Sequence, residues 1–344
     1  MEFILKILWN EKFWLPEGKS WDILANKPGS IYLPQTSDMA WSIPLGLLLF
    51  AFRCIFERFL MTPLGYWLGV KKKKFPRLNP TLEEYIKQNG SVYKLDTREI
   101  SKQTDVPVRD VERWLRDRQS LAKPSDIKRF VECGWHFTFY SCSFFGGLVM
   151  LWQKSWFWTT VNCWLDWPNQ HIDNDVYWYY LIELSFYWCL VFSVVTEHRR
   201  KDFVQMIVHH VVTILLVYFS WSLNFVRVGT LVLITHDAAD FPMAAGKMMK
   251  YSGHKTMGEI LLGVFIIVWI LSRLIYYPVF VLYCSLVEIY AGVEPFPSYY
   301  FFNVLLIVLQ VMHIIWTYMI ARIAFLTISK RELKDVRSDS ESDS

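Results

Sequence analysis

The chain is 344 residues long, 53% hydrophobic and 17% aromatic, and carries a net charge of +4 with only 20% of its residues charged. That balance argues against an ordinary soluble domain and for an all-α polytopic membrane protein. Of the six cysteines all but Cys163 lie in or beside apolar runs, and none has metal-ligand spacing, which argues against zinc, against any other metal and against a disulfide scaffold.

In chain order, residues 1–40 read as a lumenal or interfacial segment. The apolar piece 3–9 is short, is interrupted by Lys6, and precedes no small-residue cleavage pattern. Residues 41–60 form the first run able to cross a hydrocarbon core of about 30 Å as a helix rising about 1.5 Å per residue.

Residues 66–128 are charged and soluble in character. Helices are predicted over 81–87, 96–104 and 107–118, the first two opening at Thr81 and Asp96 with Glu84 and Glu99 in capping-box spacing. The third, through Val111, Trp114, Leu115 and Asp117, resembles the recognition helix of a homeodomain. Asp117 stands where a homeodomain carries its adenine-reading Asn, and a carboxylate only accepts and repels phosphate. DNA binding is therefore disfavoured, and Trp114 and Leu115 are expected to be the core of a small cytosolic helical insert. Its basic face is available to anionic headgroups or a CoA phosphate.

Six further apolar runs occupy residues 131–326, roughly 131–152, 176–196, 203–223, 225–245, 257–284 and 299–326, for about seven transmembrane helices in all. Only a tight turn near Asn224 separates the fourth run from the fifth, so these two form an antiparallel hairpin. Lys71 to Lys74, Arg199 to Lys201, the group Lys247, Lys250 and Lys255, and the pair Lys330 and Arg331 follow the odd-numbered runs. The opposite loops, 164–175 and 288–297, are acidic or aromatic. By the positive-inside rule the N-terminus lies outside the cytosol and the C-terminus inside. The glycosylation acceptor Asn89-Gly90-Ser91 then falls on the cytosolic side and is expected to be silent.

Within the hairpin, His209 and His210 sit in one run and His236, Asp237 and Asp240 in the next. An ionisable side chain near the bilayer centre costs roughly 2.5–3.5 kcal/mol on insertion scales, so several together point to chemistry: an intramembrane active site. Adjacent helical residues point about 100° apart, so one histidine acts and the other supports. Asp237 and Asp240, three apart, share a face and are expected to meet the histidines across the hairpin. His136 and His313, isolated in apolar runs, read as structural. Arg227 and Arg273 read as balancing a carboxylate or snorkelling, with Arg273 also a candidate substrate contact, and Glu183 is left open.

The runs Arg199-Arg200-Lys201-Asp202-Phe203, Val208-His209-His210-Val211-Val212-Thr213, Arg227-Val228-Gly229-Thr230-Leu231 and His236-Asp237-Ala238-Ala239-Asp240-Phe241 resemble the Lag-type motifs of an animal ceramide synthase with its TLC-type membrane domain. The resemblance extends from about the first span to the tail. It implies N-acylation of a sphingoid base (sphinganine or sphingosine) by a fatty acyl-CoA in the endoplasmic reticulum membrane. Acyl-CoA is then a substrate, and no cofactor is needed because a thioester is already activated. A neutral imidazole takes the amine's proton, or attacks the thioester first to give an acyl-imidazole; both routes stay open. Asp237 is the choice for orienting the imidazole and Asp240 for holding the base's ammonium or hydroxyls.

His236, Tyr179, Tyr180 and Trp269 are further candidates to line the substrate path, although aromatic side chains also pack helices and mark interfaces. In the resembling family a loop between the last two spans influences acyl-chain length. Here it holds Glu288, Ile289, Tyr290, Gly292, Glu294 and Phe296. The tail 327–344 is acidic and serine-rich, hence expected to be disordered, with Ser338, Ser340 and Ser342 as candidate acidophilic kinase sites. The family also implies a dimer with itself or with a related synthase. Two rival classes are a non-catalytic lipid carrier or sensor, and a membrane-tethered DNA-binding regulator opposed by Asp117.

Overall fold

The computed structural model describes residues 9–27, 31–72, 79–89, 97–122, 125–193, 203–294 and 296–328. The basic clusters at Arg199 to Lys201 and at Lys330 and Arg331, and the tail with Ser338, Ser340 and Ser342, lie outside the described residues. Among those described, the regular structure is helical throughout.

Among the described residues seven long helices carry the fold: α1 (Asp38–Trp67), then, after an insert, α5 (Asp126–Trp152), α6 (Asn174–Ser193), α7 (Phe203–Ser222), α8 (Val226–Tyr251), α9 (Lys255–Leu286) and α10 (Pro297–Ile328). Four of them, α1, α7, α9 and α10, are long and apolar enough to cross a membrane by themselves. The other three are diluted by polar side chains. Helix α8, for example, carries Arg227, His236, Asp237, Asp240, Lys247 and Lys250 along its length.

Helix α8 is the axis of the bundle, packed against α5, α6, α7 and α9. Its entry is set by Asn224, whose φ of 55° is a left-handed conformation that Asn tolerates better than most residues. The Asn224 amide also donates to the carbonyls of Pro168 at 2.8 Å and Gln170 at 2.9 Å, which ties the expected hairpin turn to the preceding loop. Helix α9 winds into a π-helical segment over Ile270–Leu282, with Pro278 inside it removing one backbone donor. In that segment Arg273, Tyr277 and Val281, four residues apart, face inward together.

One end of the bundle is closed by tryptophan. The indole N–H groups of Trp164, Trp167 and Trp221 donate to the carbonyls of Cys284, Leu223 and Gln35 at 2.8–2.9 Å, and Trp14 stacks on Phe219 at 4.4 Å. Tryptophan suits this place because its ring buries apolar area while its single donor still needs an acceptor. The described part of the N-terminal segment thus belongs to this end. Beside it, Lys154 bridges Asp173 at 2.7 Å and Asp175 at 3.0 Å. Burial alone would lower the lysine's pKa, but the two carboxylates outweigh it and hold the ammonium above its ordinary range.

The insert consists of α2 (Pro80–Asn89), α3 (Thr97–Thr104) and α4 (Val108–Ala122). Leu82, Ile100, Val111, Trp114 and Leu115 form its own core. The start of α2 differs from expectation: Asn79, not Thr81, supplies the capping oxygen, accepting from the Leu82 N–H at 3.4 Å. Arg118 covers Trp114 at 5.1 Å and bridges Glu83 at 2.9 Å.

Candidate active site

Six of the seven long helices place polar side chains at one level of the bundle, in two connected groups. The first lies between α7, α8, α9 and α10. The His236 Nδ1 is 2.7 Å from the Val232 carbonyl and its Nε2 is 3.1 Å from His313 Nε2. A carbonyl only accepts, so the His236 Nδ1 carries the proton and its Nε2 offers a lone pair. The His209 ring lies 6.1 Å from that of His236 in a stacked arrangement, and 5.4 Å edge-on from Trp316.

Arg273 completes this group. Its Nη2 donates to the His236 carbonyl at 2.7 Å and to Asp240 Oδ1 at 3.1 Å, while the guanidinium rests 4.8 Å from the Trp269 ring. Trp269 in turn donates to Thr317 Oγ1 at 2.9 Å. A guanidinium buried this deeply is stable only because each of these contacts replaces water.

The second group lies between α5, α6 and α8. Ser143 Oγ stands between Glu183 Oε1 and Asp237 Oδ2, 2.5 Å from the latter, with both carboxyl groups buried. A hydroxyl has one proton and can donate to only one of the two at a time.

Above these groups a narrow apolar cavity runs toward the tryptophan-closed end. Tyr187, Thr213 and His236 border it at the polar level, and Trp164, Ile289 and Tyr299 at the far end. Along α8 its wall extends from Phe225 to His236, which corresponds to about 16 Å of helix. Gly229 makes room in this wall: a Cβ there would stand 1.5 Å from the Tyr180 hydroxyl, which is paired with Ser220 Oγ at 2.9 Å.

Each candidate from the sequence can now be located. His209 and His210 are both buried, with His210 6.1 Å from the Tyr187 ring. Asp240 meets Arg273. Asp237 faces Ser143 rather than a histidine, because it is one residue on from His236 and so points about 100° away around α8. Tyr180 borders the cavity, whereas Tyr179 packs against α5 near Gly147 and Trp269 supports Arg273.

Of the loop residues, Ile289 reaches the cavity and Phe296 stacks on Trp167 at 5.8 Å. Gly292 crosses close to the Trp164 carbonyl. Tyr290 and Glu294 are exposed, and Glu288 is half-buried. Arg227 contacts the Asn162 carbonyl at 2.7 Å and the Trp156 ring at 4.9 Å, at the tryptophan-closed end. Sequence reasoning missed His313 and Ser143 as members of this polar level. Among the described residues no group of three His, Cys, Asp or Glu side chains is arranged to hold a metal ion.

Comparison with known proteins gives the arrangement a family. The model of the TLC domain, which groups TRAM, LAG1 and CLN8 proteins, matches residues 129–322. Ceramide synthase 4 of Bos taurus is 38% identical over 97% of this chain and 86% of its own length. Ceramide synthase 3 of Mus musculus is 38% identical over 98% of this chain and 88% of its own, and ceramide synthase 5 of Homo sapiens 38% over 98% and 87%. With both a family match over more than half of the chain and near full-length similarity, the chain belongs to the ceramide synthases of the TLC-domain family.

Proposed function

We propose that this protein transfers the acyl group of a fatty acyl-CoA to the amine of a sphingoid base, giving a ceramide or dihydroceramide and free CoA. The C–S bond of the thioester breaks, the C–N bond of the amide forms, and the proton lost by the amine ends on the CoA sulfur. The observation that carries this reading is the joining of an apolar cavity to a buried level of histidines and carboxyl groups. The names of the relatives, all ceramide synthases, supply the substrate class.

In this reading the acyl chain lies in the cavity with its carboxyl end at Tyr187 and His236. An imidazole of the His209 and His210 pair takes the amine's proton directly, or attacks the thioester first and is then deacylated by the amine. The first role is typically worth about 10²–10⁴ in rate. His236, held in one tautomer by Val232, supports the reacting histidine. Asp237 with Ser143 and Glu183 stores and returns a proton, and Asp240, balanced by Arg273, faces the base's polar end. Ile289, at the far end of the cavity, gauges chain length.

The membrane arrangement that goes with this has seven spans in the endoplasmic reticulum, the tryptophan-closed end lumenal and the C-terminus cytosolic. Support comes from the four strongly apolar helices and from Lys250 and Lys255 at the opposite end of α8 and α9. The test is to supply purified protein with sphinganine and acyl-CoAs of graded length, measuring released CoA and product mass together. One N-acyl product per CoA supports the reading. No product with any donor from folded protein would favour a lipid carrier or sensor.

A further inference from the structure

The two cysteines at the tryptophan-closed end are far apart in sequence and meet in the fold. Cys163 ends the short 3₁₀ turn Thr160–Cys163, and Cys284 lies in the last turn of α9. Both are buried and both carry free thiols in this structure. The Cys284 Sγ donates to the Thr160 carbonyl at 3.4 Å, at the start of that same turn. Burial, with the Cys284 thiol as a neighbour, pushes the pKa of the Cys163 thiol up. Backbone contacts already hold the two segments together: Trp164, next to Cys163, donates through its indole to the Cys284 carbonyl at 2.8 Å.

We propose that Cys163 and Cys284 are a disulfide site that clamps the loop after α5 to the end of α9. The step is a dithiol oxidation: the two thiols lose two protons and two electrons and form one S–S bond, while the disulfide of a lumenal thiol–disulfide oxidoreductase is reduced to two thiols. A thiol that is buried and uncharged reacts poorly, because the thiolate is the nucleophile. The bond therefore forms as the chain folds, before the turn and the helix end close over it, and afterwards is shielded from reductant. Its location matters for the cavity. Trp164 follows Cys163 directly and Ile289 is in the turn just after α9, and both border the far end. Gly292, where a Cβ would come within 2.3 Å of the Trp164 carbonyl, leaves these segments no slack.

The inference rests on the part of the proposed function that makes this end lumenal, and on no part of the chemistry. The experiment uses full-length protein in microsomes, blocked with N-ethylmaleimide, denatured, and digested without reductant for mass spectrometry. A cross-linked pair of peptides containing Cys163 and Cys284, separated by reduction, is the expected result. Recovery of both residues as maleimide adducts overturns the proposal.

A Tyr290→Cys reporter, at an exposed position beside this end, separates the two ways of failing. Labelling by an impermeant maleimide only after permeabilisation, with both native cysteines alkylated, overturns the disulfide alone. Labelling in intact vesicles overturns the orientation as well. In purified protein without reductant, the cross-linked wild type is expected to melt at a higher temperature than the C163S/C284S double variant. A cross-linked wild type that melts no higher than the double variant overturns the clamp.

Discussion

The Nε2 atoms of His236 and His313 are 3.1 Å apart, on helices distant in sequence, and the proton at His236 Nδ1 is fixed by the Val232 carbonyl 2.7 Å away. His313 Nε2 also lies 3.4 Å from Arg273 Nη1, which can only donate, so this nitrogen stands between a donor and the His236 lone pair and serves one of them at a time. Replacing His313 by Leu takes away the imidazole that touches both His236 and Arg273, and a buried polar group left unsatisfied costs about 1–3 kcal/mol. Turnover is expected to fall by one to two orders of magnitude, and His313→Gln, which keeps both a donor and an acceptor, is expected to recover most of it. Equal turnover in His313→Leu and wild type would remove His313 from the site.

Buried Arg273 and half-buried Asp240 form an ion pair at 3.1 Å. Removing the cation alone, as in Arg273→Met, takes the guanidinium from the carboxylate and is expected to destabilise the protein by less than the ~3–5 kcal/mol of a fully buried pair. Adding Asp240→Asn to Arg273→Met should return part of that loss. A double-mutant cycle by denaturant or thermal unfolding in one detergent checks the coupling, and strict additivity of the two single changes would count against it.

Gly229→Ala drives a methyl group into the Tyr180 hydroxyl. Overpacking of this kind costs about 1–3 kcal/mol, so the melting temperature should fall. The second change Tyr180→Phe, which removes the obstructing oxygen, is expected to restore it in part. The comparison of the three variants isolates the contact from the general sensitivity of a helix core.

Ile289 stands at the far end of the cavity. Ile289→Ala is expected to shift preference toward longer acyl-CoAs and Ile289→Phe toward shorter ones. A methylene in an apolar pocket is worth about 1–3 kcal/mol, so ratios of kcat/KM between adjacent lengths should move by roughly 10-fold or more. An unchanged length profile in both would place the gauge elsewhere.

Lys154, between Asp173 and Asp175, has a pKa held above the ordinary lysine value of 10.5. A raised lysine pKa in the folded state stabilises fully below the unfolded value and loses that contribution as pH rises through the folded one. Because both carboxylates are about half exposed, the effect is discounted for screening: Lys154→Met should lower the melting temperature by about 1–3 °C near neutral pH. The gap between variant and wild type should close above the lysine range. A gap that widens with pH would contradict the assignment.

The hairpin of α7 and α8 was legible because two apolar runs flank a single Asn able to take a positive φ. The burial of Trp114 and Leu115 followed from the amphipathic pattern of the insert. The partners of Asp237 were not legible. Ser143 is one hydroxyl among many in an apolar run, and only the packing of α5 on α8 makes it a ligand of two carboxyl groups. His313 was read as structural because it stands alone in its run; its place beside His236 was not legible, although the insertion cost that singled out His209 applies equally to it. The three helices that are less apolar than a free span show the same effect in reverse: the polar groups that make the site also weaken the membrane signal.

The most direct test compares N-acylation of sphinganine by wild type, His209→Ala and His210→Ala, each checked for folding by its melting transition, with product identified by mass. Loss of about 10²–10⁴ in turnover in at least one histidine variant, with folding retained, is the expected result. Product formed at the wild-type rate by both folded variants would contradict the central claim that the buried histidine pair performs the transfer.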